Sequence, residues 1–312
     1  MTGRDDPSEG PPAGPDDLPG AAGRRLTSES FSSGLSVPDF AACLEMGMQP
    51  VGLVQGFCVM KWSSYGAGSP TMRGLTPFTM PSDHTGSFVE DYQCPHGFAS
   101  ADHRMWGQNF EQPWVEAAWG HGFSSAYRRL VEEARTVGAH GVIGITDTTR
   151  NLADMGVTEF HIMGTAVMVD GDRPEPGGEP WTTYLAGQRL AKLIEAGLMP
   201  VSVVATLASV RVWAYCMTDF LMEGGNFAWG GGYETREVEQ VVRAHAAVRR
   251  LAREHVRRQL GHDSLHGARL TVHQRELGHG DEVLECTLLG TRVRRFRGFD
   301  PVPPATPTVR LS

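Results

Sequence analysis

No apolar run in this 312-residue sequence approaches the ~18 residues that a membrane-spanning helix needs; the longest are strand-length and broken by glycine, proline or charge. The first 25 residues, MTGRDDPSEGPPAGPDDLPGAAGRR, contain no apolar h-region, so they do not read as a signal peptide. They are too rich in Pro, Gly and Asp to bury a core, and residues 1–25 read as a disordered tail. Cysteine is scarce: five residues, at 43, 58, 94, 216 and 286, an odd number without CxxC spacing. A disulfide framework is excluded on that count, and reduced thiols in the cytoplasm are expected. There is no strand–GxGxxG–helix unit and no GxxxxGKS/T loop, so a nucleotide site has no support.

A basic excess is also missing, since the formal net charge is −8. The charge is uneven: residues 1–180 hold 11 Lys/Arg against 23 Asp/Glu, and residues 181–312 hold 17 against 13. Much of the basic half lies on one predicted helix, REVEQVVRAHAAVRRLAREHVRRQLG. It lacks a turn-and-helix partner for DNA, and it has no Trp or Phe on its apolar side for a membrane surface. The imbalance points to acidic and basic faces that meet within the chain or between copies, not to nucleic acid or membrane.

What the sequence does contain is a repeat. LEMGMQPVGLV (Leu44–Val54) returns as IEAGLMPVSVV (Ile194–Val204), with Glu45, Gly47, Pro50, Val51 and Val54 matched by Glu195, Gly197, Pro200, Val201 and Val204. VTEFHIMGTAVMV (Val157–Val169) returns as VLECTLLGTRVRR (Val283–Arg295), with Glu159, Gly164, Thr165 and Val167 matched by Glu285, Gly290, Thr291 and Val293. Two echoes in the same order imply two copies of one domain, joined by the Pro/Gly/acid stretch DGDRPEPGGEP.

Each copy reads as a short helix, a strand, a long helix and two strands. The short helices, VPDFAACLEMG and GQRLAKLIEAG, end at Gly47 and Gly197. The long helix of copy one spans roughly Trp114–Val137, with Phe123, Tyr127, Leu130, Ala134 and Val137 on one stripe. That of copy two spans roughly Thr235–Leu260. The fold class is α+β: two two-layer domains, each a small sheet packed by one long helix plus a short one. The boundaries are domain 1 over 26–170 with a loop insertion about 63–105, a linker over 171–180, domain 2 over 181–300, and a tail over 301–312.

EEARTVGAHGVIGI (Glu132–Ile145), EFHIMGTAV (Glu159–Val167) and WGQNFE (Trp106–Glu111) together resemble the YbjQ-like family, also called UPF0145 and named for heavy-metal binding. The resemblance implies a two-layer domain that assembles into rings, typically pentameric, with no established biochemical role. Copy two, with GARLTV in place of the Gly-Val-Ile-Gly-Ile strand, reads as a diverged copy.

Several residues stand out as candidates. Gly141, Gly144 and Gly164 lie inside strand patterns, where glycine marks a bulge, a close backbone approach or a ligand loop. Thr165 follows the last of them. Asp147 and Glu159 border adjacent predicted strands and offer a carboxylate pair for acid–base work, or a structural acceptor and interface partner. His84, Cys94, His96 and His103 in the insertion carry donors suited to Zn or Cu, although Cys-x-His-x6-His is not a known finger spacing. A second group, His262, His266, His273 and His279, reads as surface decoration. No nucleophile has a base within reach in the sequence. The expected function is a non-enzymatic, ring-forming binding or scaffold protein, open to protein partners, with metal binding and carboxylate catalysis as alternatives.

Overall fold

A computed structural model of the chain describes residues 32–61, 88–90, 108–152, 157–170, 179–213, 239–278 and 281–296. The order in copy one is α1 (Val37–Glu45), β1 (Met48–Lys61), β2 (Phe88–Glu90), β3 (Gln108–Glu111), α2 (Pro113–Thr136), β4 (Gly141–Leu152) and β5 (Val157–Val169). Copy two follows as β6 (Trp181–Thr182), α3 (Gly187–Glu195), β7 (Leu198–Trp213), α4 (Glu239–Leu260), β8 (Ser264–Gly278) and β9 (Asp281–Arg295). The α+β class and the two-domain arrangement hold.

The strand orders are β1-β5-β4-β6 in one sheet and β2-β3-β7-β9-β8 in the other. Both copies thus place the last long strand between the first and the penultimate, all three antiparallel. The agreement reaches single residues. Val54 faces Gly164 as Val204 faces Gly290, and the register shifts after Pro50 and again after Pro200. A second bulge falls between Ile143 and Thr146 in β4 and between His266 and Arg269 in β8. Its left-handed residue is Gly144 (φ 60°) in one copy and Gly267 (φ 64°) in the other, a conformation that side chains with a Cβ avoid. Copy two therefore keeps the bulge glycine of this strand, although GARLTV stands in place of Gly-Val-Ile-Gly-Ile.

Local chemistry explains the boundaries. The Ser36 hydroxyl caps α1 by accepting from the Asp39 N–H, and Pro38 sits in the first turn. Gly47 and Gly197, at φ 69° and 74°, end the two short helices in the same way. In copy one, α2 lays Phe123, Ala126, Leu130 and Ala134 on Val54, Cys58, Val142 and Phe160. Trp119 stacks on Phe123 at 5.2 Å and meets Phe160 edge-on at 5.9 Å. Burial of the larger of these side chains, Phe123, Leu130, Val54, Val142 and Phe160, contributes about 1.5–3 kcal/mol each. Copy two repeats the pattern with Ala244, Val248, Ala252 and Val256 of α4 on Val204, Ala208 and Leu284.

Two core clusters cross from one copy to the other. The copy-one core takes in Val203 and Leu207 of β7, so α2 packs on both sheets. Cys43, Met48, Ile143 and Val167 share a third cluster with Leu185, Leu190, Leu193 and Val293. The described cysteines, 43, 58 and 286, are buried free thiols.

Candidate functional site

The junction between the copies gathers most of the unusual chemistry. Its first part is a threonine latch that occurs twice. In copy one the Gly34 N–H donates to Thr165 Oγ1 (3.1 Å), Ser33 Oγ lies 3.3 Å from the same oxygen, and the Leu35 N–H donates to Ser33 Oγ (3.1 Å). In copy two the Tyr184 N–H donates to Thr291 Oγ1 (3.2 Å), Thr183 Oγ1 lies 3.0 Å away, and the Leu185 N–H donates to Thr183 Oγ1 (3.0 Å). The recurring Gly-Thr pair is thus a clamp on the arm that leads into each short helix. Thr291→Val leaves the buried Thr183 hydroxyl and the half-buried Tyr184 N–H without their partner and should cost about 1–3 kcal/mol in urea unfolding, with Thr165→Val costing less because the Ser33 hydroxyl that it leaves is only part-buried. Equal, negligible losses would show that the latch carries no weight.

The copy-two arm also reaches into copy one. Strand β6 runs parallel to β4, pairing Trp181 with Gly141 and Thr182 with Val142. Beyond it, the Thr183 N–H donates to the Val142 carbonyl (2.9 Å), the Ile145 N–H to Thr183 (3.1 Å) and the Gly144 N–H to Leu185 (2.9 Å). Gly141 is glycine because the Trp181 ring lies 2.3 Å from where its Cβ would be. Gly164 is hemmed by Val142 and Ile145 in the same way. Gly141, Gly144 and Gly164 therefore sit within strand and junction packing, not on a loop.

Asp147 lies on β4 with Arg269 of β8 at 3.6 Å, and that guanidinium sits 5.0 Å over the ring of Tyr184. Burial raises the Asp147 pKa and Arg269 offsets part of the rise. Glu159 is three register places away, opposite Arg150 and Val59, whereas Asp147 faces Ile162. Three residues along a strand span roughly 10 Å and reverse the face, so the two carboxylates are not gathered into one site. Glu285 holds the place of Glu159 in copy two and pairs with Arg275 at 3.5 Å.

A second cluster joins residues that no sequence motif groups together. Glu111 of β3, Glu116 of α2 and His255 of α4 bring one ligand atom each within 4.8 Å of the others. Glu116, Trp119, Gly120, Leu207, His255 and Arg258 line a cavity of about 310 Å³ between the copies. Burial pushes the Glu116 carboxyl up to about 7, with Glu111 adding to the rise and the Ser209 N–H and Arg258 opposing it. Burial, then Arg258, holds His255 below its ordinary value. The 3.6 Å contact between Glu116 Oε2 and His255 Nε2 is too long for a hydrogen bond, and both shifts favour neutral partners. It reads as a neutral contact in a poorly solvated seam, although the donor types would suit a divalent ion.

His84, Cys94, His96 and His103 lie outside the described residues, as do Cys216 and His279. His262, His266 and His273 are exposed. Among the described residues no helix is long and apolar enough to cross a membrane.

Comparison with known proteins corrects one expectation. No family model matches the chain. The resemblance to the YbjQ-like family therefore does not stand, and the five-membered ring that it implied loses its basis. The chain is 26% identical over 189 residues, 59% of its length, to the Encapsulin nanocompartment protein Rv1762c of Mycobacterium tuberculosis. The aligned stretch spans 58% of that relative's own length. No solved structure matches significantly.

One signal for the junction was present in the sequence. Trp106-Gly107, Phe110 and Glu111 recur as Trp229-Gly230, Tyr233 and Glu234 at the same spacing. The first of these segments contributes β3, which crosses over to pair with β7 of copy two.

Proposed function

We propose that this chain is a non-enzymatic assembly protein: further chains continue the packing of its two copies into a closed, ring-like scaffold. One observation carries the reading. The two copies share a topology but meet through different surfaces, the β4 edge and α2 of copy one against the arm and β7 of copy two. Such a head-to-tail contact does not use itself up, whereas a two-fold contact does. The similarity to a protein named for a nanocompartment supports self-association. Buried free thiols agree with a reducing cytoplasm.

The test is native mass spectrometry and negative-stain imaging of the full chain. The expected result is one closed particle at a fixed multiple of the 33.9 kDa chain mass. A stable single chain across micromolar concentrations overturns the reading.

A further inference from the structure

The surfaces that meet inside the chain have counterparts that the chain leaves open, and we infer that these open counterparts bind a second copy of this chain. The inference rests on the assembly reading above and assigns its contact residues. Four independent comparisons carry it.

The first is the sheet edge. β4 and β8 match residue for residue through the bulge, yet β4 is covered by the copy-two arm while β8 is the end strand of its sheet among the described residues. Gly141, Val142, Ile143 and Ile145 are buried; their counterparts Ser264, His266 and Ala268 are exposed and Leu265 is half-buried. The second is the arm. Ser33–Leu35 is clamped by Thr165 as Thr183–Leu185 is clamped by Thr291, so it has the same geometry. Thr183–Leu185 uses its other side to bond β4.

The third comparison is the face of the first strand. Leu207 of β7 is 6% exposed because α2 covers it; its counterpart Phe57 on β1 is 46% exposed, and Val59 two residues on is equally open. The fourth is the long helix. Ala126, Leu130 and Ala134 of α2 recur on α4 as Val248, Ala252 and Val256, which puts Val242 at the place of Gly120 in the junction cavity. Val242 is 44% exposed. Large apolar side chains left in water at both halves of one repeated contact mark an interaction surface.

In the docked pair, the arm Ser33–Leu35 of one chain lies along β8 of the next. By the β4 pattern, the Gly267 N–H donates to the Leu35 carbonyl, the Ala268 N–H to Ser33, and the Ser33 N–H to Leu265. Phe57 and Val59 lie under α4 beside Val242. The short-helix seam cannot be copied unchanged. Gly187 lets α3 approach so closely that a Cβ there would lie 2.1 Å from the Asp39 carbonyl, whereas copy one carries Val37 at that place. The seam between chains therefore stands wider, with Val37, 84% exposed in the single chain, filling it.

The test uses two full-length variants, each blocking one half. Phe57→Glu spoils the β1 face and leaves β8 and α4 intact; Val242→Glu does the reverse. Each alone should run as a single chain with unchanged circular dichroism. An equimolar mixture should give a two-chain particle that grows no further, because one sound half remains on each partner. Ala268→Pro, which removes an outward donor from β8, and Val37→Glu serve as the second pair if either first variant fails to fold. Variants that assemble like wild type, or a mixture that stays as single chains, overturn the assigned surface while the assembly reading stands. A wild-type chain that never associates removes both.

Discussion

Gly56→Val should unfold copy one at 25 °C or lower its unfolding free energy by about 3–5 kcal/mol. Gly56 lies on β1 directly beneath α2. A Cβ there would stand 1.8 Å from the Ala126 carbonyl oxygen and 2.7 Å from the Leu130 nitrogen, both helix backbone. No rotamer relieves a clash with backbone, so the helix must withdraw from the strand. That movement separates Ala126, Leu130 and Ala134 from Val54 and Cys58, and the gap has no other side chain to fill it. Gly52→Ala, four residues earlier on the same strand, is the control: nothing lies within 4 Å of its Cβ position, and it should change stability little. Chemical denaturation of both variants decides the matter. Equal, small effects would mean that the β1–α2 contact is much softer than this close approach requires.

Glu116→Gln should stabilise the junction by about 2–3 kcal/mol at pH 8 relative to wild type, and by almost nothing at pH 4.5. The sign follows from proton counting. Unfolded, the carboxyl releases its proton near 4.5; folded, it holds it to about 7. Between those values the folded state binds more protons, so its stability falls as pH rises and levels off above 7. Gln keeps the acceptor for the Ser209 N–H, which Glu116 Oε1 takes at 2.9 Å, but has no charge to bury. The neighbours set the slope: Glu111 from β3 and the Arg258 guanidinium from α4 pull in opposite directions. His255 acts the other way. Its pKa is lowered by burial, so its share of the stability is present above 6.5 and is lost as pH falls below it. The two slopes offset each other over part of the acid range, and only the difference between variant and wild type isolates Glu116. Urea unfolding at pH 4.5, 6 and 8 gives that difference; a constant gap would show that the carboxyl is solvated.

The repeat was legible because its anchors are residues that backbone geometry cannot exchange. Gly47 and Gly197 end helices at positive φ, and Pro50 and Pro200 precede equivalent bulges. Thr165 and Thr291 were visible as a recurrence but not as a clamp, since their partners lie 131 and 107 residues away. The same anchors explain why the family resemblance misled. In this chain the Gly-Thr pairs clamp the arms and the bulge glycines hold a positive φ, so these residues answer to local geometry. β6 was illegible because two residues between a Pro/Gly stretch and a helix have no period to read. The Glu116–His255 contact joins residues 139 positions apart on two different copies, and neither has a neighbour in sequence that would single it out. Asp147 and Glu159 failed as a pair for a simpler reason: adjacency of strands does not set register, and the bulge after Ile143 moves their places apart.

Gly187 facing Asp39 in one seam and Val37 facing Arg189 in the other would give an assembled particle two kinds of boundary in alternation. Its rotational order would then be half its number of modules. The charged niche of Asp147, Tyr184 and Arg269 would recur only at every second boundary, with Leu270 and Gly34 standing in at the rest. Fusing two modules into one polypeptide frees every other boundary to diverge while its neighbour is held fixed.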